Sequence, residues 1–231
     1  ISVQVLDSVG ESPTQKTPYY KGYLVGLDLT EIVQNICLDV DIIGISVIFT
    51  HEWPAVVQLI RLIKMSYPDV PIVLGGEHCT SMPEFCLTSS DADIVVQGEG
   101  EEIVVEVVER LHNSIPLAEL EGIAFRSECR SAVIVNKRRE RNNNVDDLPF
   151  PDWEEIKIDE YNKHRYVGGM DVALKTIPIL ATRGCPYQCT YCSSPNMWLP
   201  RWIPRDPIKV VNEMEYLYTQ SGARNFPLQD L

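Results

Sequence analysis

The sequence predicts an α/β protein, a Rossmann-like parallel-sheet domain followed by the start of a second βα unit, and three observations carry that expectation. Short apolar runs alternate with stretches of helical period, glycines stand where the runs end, and a polar, proline-bounded segment divides the chain. A parallel sheet covered on both faces needs this pattern, because its strands are apolar throughout and its crossovers are helices.

Residues 1–7 read as the first strand, and a polar stretch with Pro13, Pro18, Gly22 and Gly26 leads to a helix at 29–37. Residues 41–49 (DIIGISVIF) are apolar enough for a strand buried on both faces. The helix expected at 53–65 spaces Val56, Leu59, Ile60 and Ile63 along one face and ends at Tyr67-Pro68. Strands at 71–74 and 92–96 run into Gly75-Gly76 and into Gly98 and Gly100. A helix at 101–111 and an edge hairpin, 122–125 with 132–135, complete a domain placed at 1–136. Residues 137–151 (KRRERNNNVDDLPFP) have the composition of an exposed linker. Beyond it, 152–231 holds a short helix to about His164, a strand at 176–182, a helix at 206–218 and a strand at 224–228. The chain begins at Ile1 and stops after an apolar run, so a piece of a longer protein is expected.

With 231 residues, 45% hydrophobic and 23% charged, the composition is that of an ordinary globular protein. The formal charge of −13, from 33 acidic and 20 basic side chains, opposes bulk nucleic-acid binding. No apolar run is long enough to span a bilayer and no signal peptide is evident, so neither membrane insertion nor export is expected. Seven cysteines, an odd number, point to thiols in a reducing compartment, and a cytoplasmic location is expected.

Cys185, Cys189 and Cys192 stand in C-P-Y-Q-C-T-Y-C, a C-x3-C-x2-C spacing in a loop directly after a strand. An iron–sulfur cubane held by three cysteines keeps one iron open for a small molecule, whereas structural zinc wants a fourth protein ligand. A zinc knuckle completed by a distant residue such as His164, or cysteines gathered in a core, are the structural alternatives. Trp198, Arg201, Trp202 and Arg205 follow the loop, either to shield a cofactor or to pack the loop and cap the next helix at Asp206.

The string A-T-R-G-C-P-Y-Q-C-T-Y-C at 181–192, with Tyr191 before the last cysteine, resembles the cluster motif of radical S-adenosylmethionine enzymes. The resemblance implies a [4Fe–4S] cluster on Cys185, Cys189 and Cys192, with S-adenosylmethionine chelating the open iron and yielding a 5′-deoxyadenosyl radical on reduction. It implies a partial (β/α)6 barrel of which 152–231 is the beginning, and Asp230, at the end of the second barrel strand, as a partner for the methionine amine. An electron donor such as flavodoxin or ferredoxin is implied as well.

The strand-end strings G-I-S-V-I-F (44–49), L-G-G-E-H (74–78) and V-Q-G-E-G-E-E (96–102) together resemble cobalamin-binding domains fused to radical enzymes. Ligands of open parallel sheets sit beyond the carboxyl ends of the strands. On this resemblance Ser46 bonds the nucleotide tail of cobalamin, Gly75 and Gly76 let the backbone approach it, and Gly98 and Gly100 line the same crevice. The plain alternatives are a turn at Gly75-Gly76, a helix start at Gly100 and a buried hydroxyl at Ser46. No D-x-H-x-x-G string occurs, so cobalamin held without that cobalt-ligating histidine is implied. His51 and His78 read as hydrogen-bonded loop residues, and Cys37, Cys79, Cys86 and Cys129 as thiols without ligand spacing.

The implied function is a cobalamin-dependent radical S-adenosylmethionine enzyme, foremost a C-methyltransferase on a small-molecule or natural-product substrate. A cyclase or rearrangement enzyme without methyl transfer and a non-enzymatic zinc module are the rivals. The 231-residue chain alone is expected to be inactive, since only the first strands of a barrel are present.

Overall fold

The computed structural model describes residues 2–127, 129–167 and 174–230. Ile1 and Leu231, where the expected first strand begins and the expected barrel segment ends, lie outside the described residues. The chain divides into two compact units: Ile1–Ile36, Asn143–Arg183 and Trp202–Leu231 form one, and Cys37–Asn142 with Gly184–Arg201 form the other. This differs from the contiguous 1–136, 137–151, 152–231 division expected from composition, because the first 36 residues and the cysteine loop each pack away from their sequence neighbours.

The first unit opens with α1 (Ser8–Glu11), the hairpin β1 (Lys16–Tyr19) and β2 (Gly22–Val25), and α2 (Leu29–Gln34). Asp28 and Glu31 form a reciprocal capping box at the start of α2, which is why a helix of only six residues is held. Residues 2–7 are not a strand, contrary to expectation. Asp7 instead caps α1 by accepting from Gly10 N at 3.1 Å, and accepts the Tyr161 hydroxyl at 2.7 Å.

The second unit holds β3 (Ile43–Ser46), α3 (Trp53–Ser66), β4 (Ile72–Gly75), α4 (Glu77–Ser81), α5 (Pro83–Ser89), β5 (Ile94–Val96), α6 (Glu101–His112), β6 (Ile123–Arg126) and β7 (Val133–Val135). The sheet order is β3-β4-β5-β6-β7; the first two pairings are parallel and the last two antiparallel. Val73, Ile94 and Val96 pack with Ile103 and Val107 of α6 and with Ile123 and Phe125. Strand side chains alternate in direction, so Ile72, Leu74 and Val95, each fully buried, face the opposite side. The sheet is therefore apolar on both faces, as the runs in the sequence require. Each fully buried Ile or Leu contributes about 1.5–3 kcal/mol of transfer free energy.

Asp93 pins the start of β5. Its carboxylate accepts from Lys64 Nζ at 2.8 Å, Arg130 Nη1 at 2.7 Å and Ile72 N at 2.9 Å. Burial opposes its ionisation, but Lys64, the Ile72 amide and Arg130 outweigh that and hold the carboxyl below its ordinary value. A depressed folded-state pKa contributes stability that is fully present above the ordinary aspartate range and is lost as pH falls through the depressed value. The Asp93→Asn variant is expected to be about 1–3 kcal/mol less stable at neutral pH. Its acid limb should also be flatter than that of the wild type; urea unfolding at a series of pH values checks both.

Residues 137–142 are not an exposed linker. Arg139 forms a two-point pair with Glu106 at 2.6 and 2.8 Å, and Arg141 is 8% exposed. Opposite charges far apart in sequence draw a basic run onto an acidic surface, and composition does not show this.

The first unit resumes with α7 (Ile158–Lys163), β8 (Thr182–Arg183), β9 (Ile203–Pro204) and α9 (Pro207–Gln220), while α8 (Ser194–Trp198) belongs to the second. The strand expected at 176–182 pairs in parallel with 224–228 only at isolated bridges, Thr176 with Asn225 and Ile179 with Leu228. Pro227 has no amide hydrogen to give Ile177 O, so the rung between the bonds from Ile177 N to Asn225 O (3.0 Å) and from Ile179 N to Pro227 O (3.0 Å) cannot form. Ile177 and Ile179 nonetheless pack on Val210 and Leu217 of α9. A β-α-β unit is thus present.

Candidate functional site

Two sets of residues were marked by the sequence, one at the strand ends of the second unit and one in the loop at 184–201. The strand ends come first. Ser46, the last residue of β3, pairs in register with Gly75, the last of β4, and its side chain is exposed. A side chain built at Gly75 would meet no atom within 4 Å. Gly76 differs: its φ is +95°, and a Cβ there would stand 2.5 Å from the Val47 carbonyl oxygen. That closeness follows from the bonds Val47 N to Gly75 O at 2.8 Å and His78 N to Val47 O at 3.2 Å. Gly76 is therefore demanded by the backbone itself, whereas at Gly75 the position of a Cβ is open.

At the end of β5, Gln97 is 7% exposed and its Nε2 has no hydrogen-bond partner among the described residues. Gly98 follows, its amide donating to Thr80 Oγ1 at 2.9 Å. Gly100 precedes α6 with ordinary helical backbone, and a Cβ there would make only van der Waals contact with Val96 at 3.7 Å. It serves as the helix start that the plain alternative named. His78 is 3% exposed, its Nδ1 lies 3.1 Å from Thr50 Oγ1, and burial lowers its pKa. Its Nε2 is likewise without a partner among the described residues. Gln97 was not singled out by sequence; the one available signal was a polar residue closing an otherwise apolar run at 94–97.

In the loop, Cys185 is half-buried, Cys189 and Cys192 are exposed, and none of the seven cysteines is in a disulfide. A turn links two of the three, with Cys192 N donating to Cys189 O at 3.1 Å. No three His, Cys, Asp or Glu side chains are gathered closely enough among the described residues to hold a metal ion. By chemistry alone the donor set, three thiols on one short loop, is of the kind that iron–sulfur clusters take. His164, the distant candidate for a zinc site, lies in the first unit beside Glu160 at 3.4 Å.

Of the four basic and aromatic residues after the loop, Trp198 and Arg205 take structural places, and Arg201 and Trp202 are exposed. Trp198 lies under the guanidinium of Arg141, 5.2 Å from ring centroid to Cζ. Arg205 donates to Glu213 at 2.6 Å and to Leu180 O at 2.8 Å, and Asp206 caps α9 through Ile208 N at 2.8 Å. Asp230, expected to face a methionine amine, accepts from Ala181 N at 2.7 Å and Thr182 N at 2.9 Å through Oδ1. That oxygen is committed to fastening the end of the adjoining strand.

The parallel half of the sheet, β3 to β5, ends in small and polar residues, and in open α/β folds ligands sit beyond such strand ends. Residues 23–108 match the B12 binding domain family. Cytidylyl-2-hydroxyethylphosphonate methyltransferase of Streptomyces wedmorensis is 26% identical over 210 residues, which cover 82% of this chain and 39% of that protein. Anaerobic magnesium-protoporphyrin IX monomethyl ester cyclase of Synechocystis sp. is 31% identical over 215 residues, covering 87% and 39%. The cobalamin-dependent S-adenosylmethionine radical enzyme OxsB, with aqua-cobalamin bound, superposes with a TM-score of 0.67 at 23% identity, over 87% of this chain and 27% of that one. The radical S-adenosylmethionine methyltransferase TsrM from Kitasatospora setae, with cobalamin and a [4Fe–4S] cluster bound, gives 0.66 at 18% identity, over 88% and 40%. These two likenesses establish the fold. Residues 23–108 are thus similar to a B12 binding domain, and the chain is similar to parts of these longer proteins. It spans 39% of the length of the two curated relatives named above.

Proposed function

We propose that this chain is part of a cobalamin-dependent radical S-adenosylmethionine C-methyltransferase. The observation that carries the reading is the pairing, in one chain, of a B12-binding domain with three free thiols at C-x3-C-x2-C spacing. The strand ends fit cobalamin: Gly75 leaves room, Ser46 offers an exposed hydroxyl, and the buried amide of Gln97 has hydrogens for an acceptor. Cys185, Cys189 and Cys192 are the proposed cluster ligands, and 152–231 the proposed beginning of the barrel. When bound, cobalamin supplies a transferable methyl group and the cluster supplies the electron that cleaves S-adenosylmethionine. The protein's share is to bind and orient these groups and to keep the thiols in reach of the cluster. A small-molecule substrate and a flavodoxin- or ferredoxin-type electron donor complete the proposal. No helix among the described residues is long and apolar enough to cross a membrane.

A second reading, cyclisation without methyl transfer, is favoured by the 31% identity to a cyclase. Product mass separates the two. Incubation of the full-length protein with reductant, S-adenosylmethionine and candidate substrates is expected to give a product heavier by one CH2. A product altered in structure with no carbon gained would favour the cyclase reading instead.

A further inference from the structure

Arg138 and Arg141 lie between two loops of the second unit that are far apart in sequence. One is the loop leaving β5, with Gly98 and Glu99; the other is the cysteine loop. Arg141, with 4% of its side chain exposed, pairs with Glu99, 11% exposed, through Nη2 to Oε1 at 3.3 Å and Nε to Oε2 at 3.4 Å. Glu99 also accepts from Asn142 N at 3.2 Å. The other arm of Arg141 reaches the cysteine loop: Nη1 donates to Arg201 O at 2.6 Å, and the guanidinium lies over Trp198. A Cβ on Gly184, the residue before Cys185, would stand 2.7 Å from the same Nη1. Arg138 donates to the carbonyls of Asn196 and Met197, in the last turn of α8, where a cation is favoured by the helix dipole. A Cβ on Gly98 would stand 3.1 Å from Arg138 Nη2. α8 itself packs on α4.

Glu99 is paired with Arg141 and also attracts Arg138, and backbone carbonyls of the cysteine loop accept hydrogen bonds from both guanidiniums. If that loop leaves, buried positive charge loses its acceptors, which is costly. We propose that Arg138 and Arg141 are positioning residues that fasten the cysteine loop to the loop leaving β5, so that occupation of the strand ends and order in the cysteine loop are coupled. The identity of the two occupants rests on the reading above; the coupling between the loops does not. Coupling of this kind is reciprocal: a ligand that stiffens Gly98 and Glu99 stiffens the cysteine loop, and the converse holds.

Hydrogen exchange read by mass spectrometry on the 231-residue chain tests this, without cluster, in the presence and absence of hydroxocobalamin. The Arg138→Met variant should exchange amides at 184–201 about tenfold faster than the wild type without ligand. The β6–β7 hairpin should stay unchanged, which separates a local release from failure to fold. The double variant Glu99→Gln/Arg141→Met, which removes both members of the buried pair and leaves no orphan charge, should do the same. In the wild type, hydroxocobalamin should slow exchange at 184–201; in both variants it should still bind, by its visible spectrum, but give no protection there. Exchange at 184–201 identical to the wild type in both variants would overturn the clamp. A wild type that takes up no hydroxocobalamin would overturn the cobalamin reading, and the arm without ligand would still decide the clamp.

Discussion

Gly75→Val is expected to lower cobalamin affinity by more than about tenfold while leaving the fold intact, because the new side chain enters the space a ligand needs from a position where its Cβ meets no other atom. A Cβ at Gly75 meets no atom within 4 Å, and valine is at home at the end of a strand, so the unfolding free energy should change by less than about 0.5 kcal/mol. Its neighbour behaves oppositely. Gly76→Ala puts a Cβ 2.5 Å from the Val47 carbonyl oxygen at a φ of +95° and a ψ of 178°, backbone that only glycine adopts without strain. The cost is about 1–3 kcal/mol from the backbone alone, with the contact added to it. Titration with hydroxocobalamin followed by its visible spectrum, set beside urea unfolding of both variants, reads the two effects. Equal affinity in Gly75→Val and wild type would remove the strand ends of β3 and β4 from the site.

The second large effect belongs to the cysteines. Replacing Cys185, Cys189 and Cys192 together by alanine is expected to abolish iron binding, from about four irons per chain to background. Cobalamin uptake should persist, since Ser46, Gly75 and Gln97 are contributed by β3, β4 and the end of β5, not by the loop. Through the clamp the affinity should fall by only a small factor. Metal analysis after anaerobic reconstitution, with cobalamin quantified by absorbance, measures both. Iron retained by the triple variant would place the cluster elsewhere; stoichiometric zinc in the wild type would favour the zinc alternative.

Much of this was legible in the residues, and the reasons are physical. β4 and β5 showed as apolar runs because a strand buried on both faces has no polar alternation, whereas β3, expected to be buried on both faces, alternates half-buried Ile43 and Ile45 with exposed Gly44 and Ser46. The cysteine loop showed because three thiols at fixed short spacing after a strand have few other uses. α4 and α5 did not show: Glu77–Ser81 and Pro83–Ser89 are too short for a helical period to accumulate. Residues 2–7 carry a strand-like pattern, yet Asp7 is drawn into capping α1 and binding Tyr161. The segment at 176–182 does pair in parallel with 224–228, but Pro227 removes one rung and leaves isolated bridges instead of a regular strand. Hardest of all was the basic run at 137–142. Composition makes it a linker, but Arg139 finds Glu106 and Arg141 finds Glu99, pairs separated by 33 and 42 residues that leave no local trace.

The most direct test of the central claim, that this chain joins a cobalamin site to a three-cysteine cluster site, is the iron, sulfide and cobalt content of the wild-type protein. It would be reconstituted anaerobically with iron, sulfide and hydroxocobalamin and freed of excess. About four irons, four sulfides and one cobalt per chain are expected. Iron without cobalt would contradict the assignment of the strand ends, and cobalt without iron the assignment of Cys185, Cys189 and Cys192.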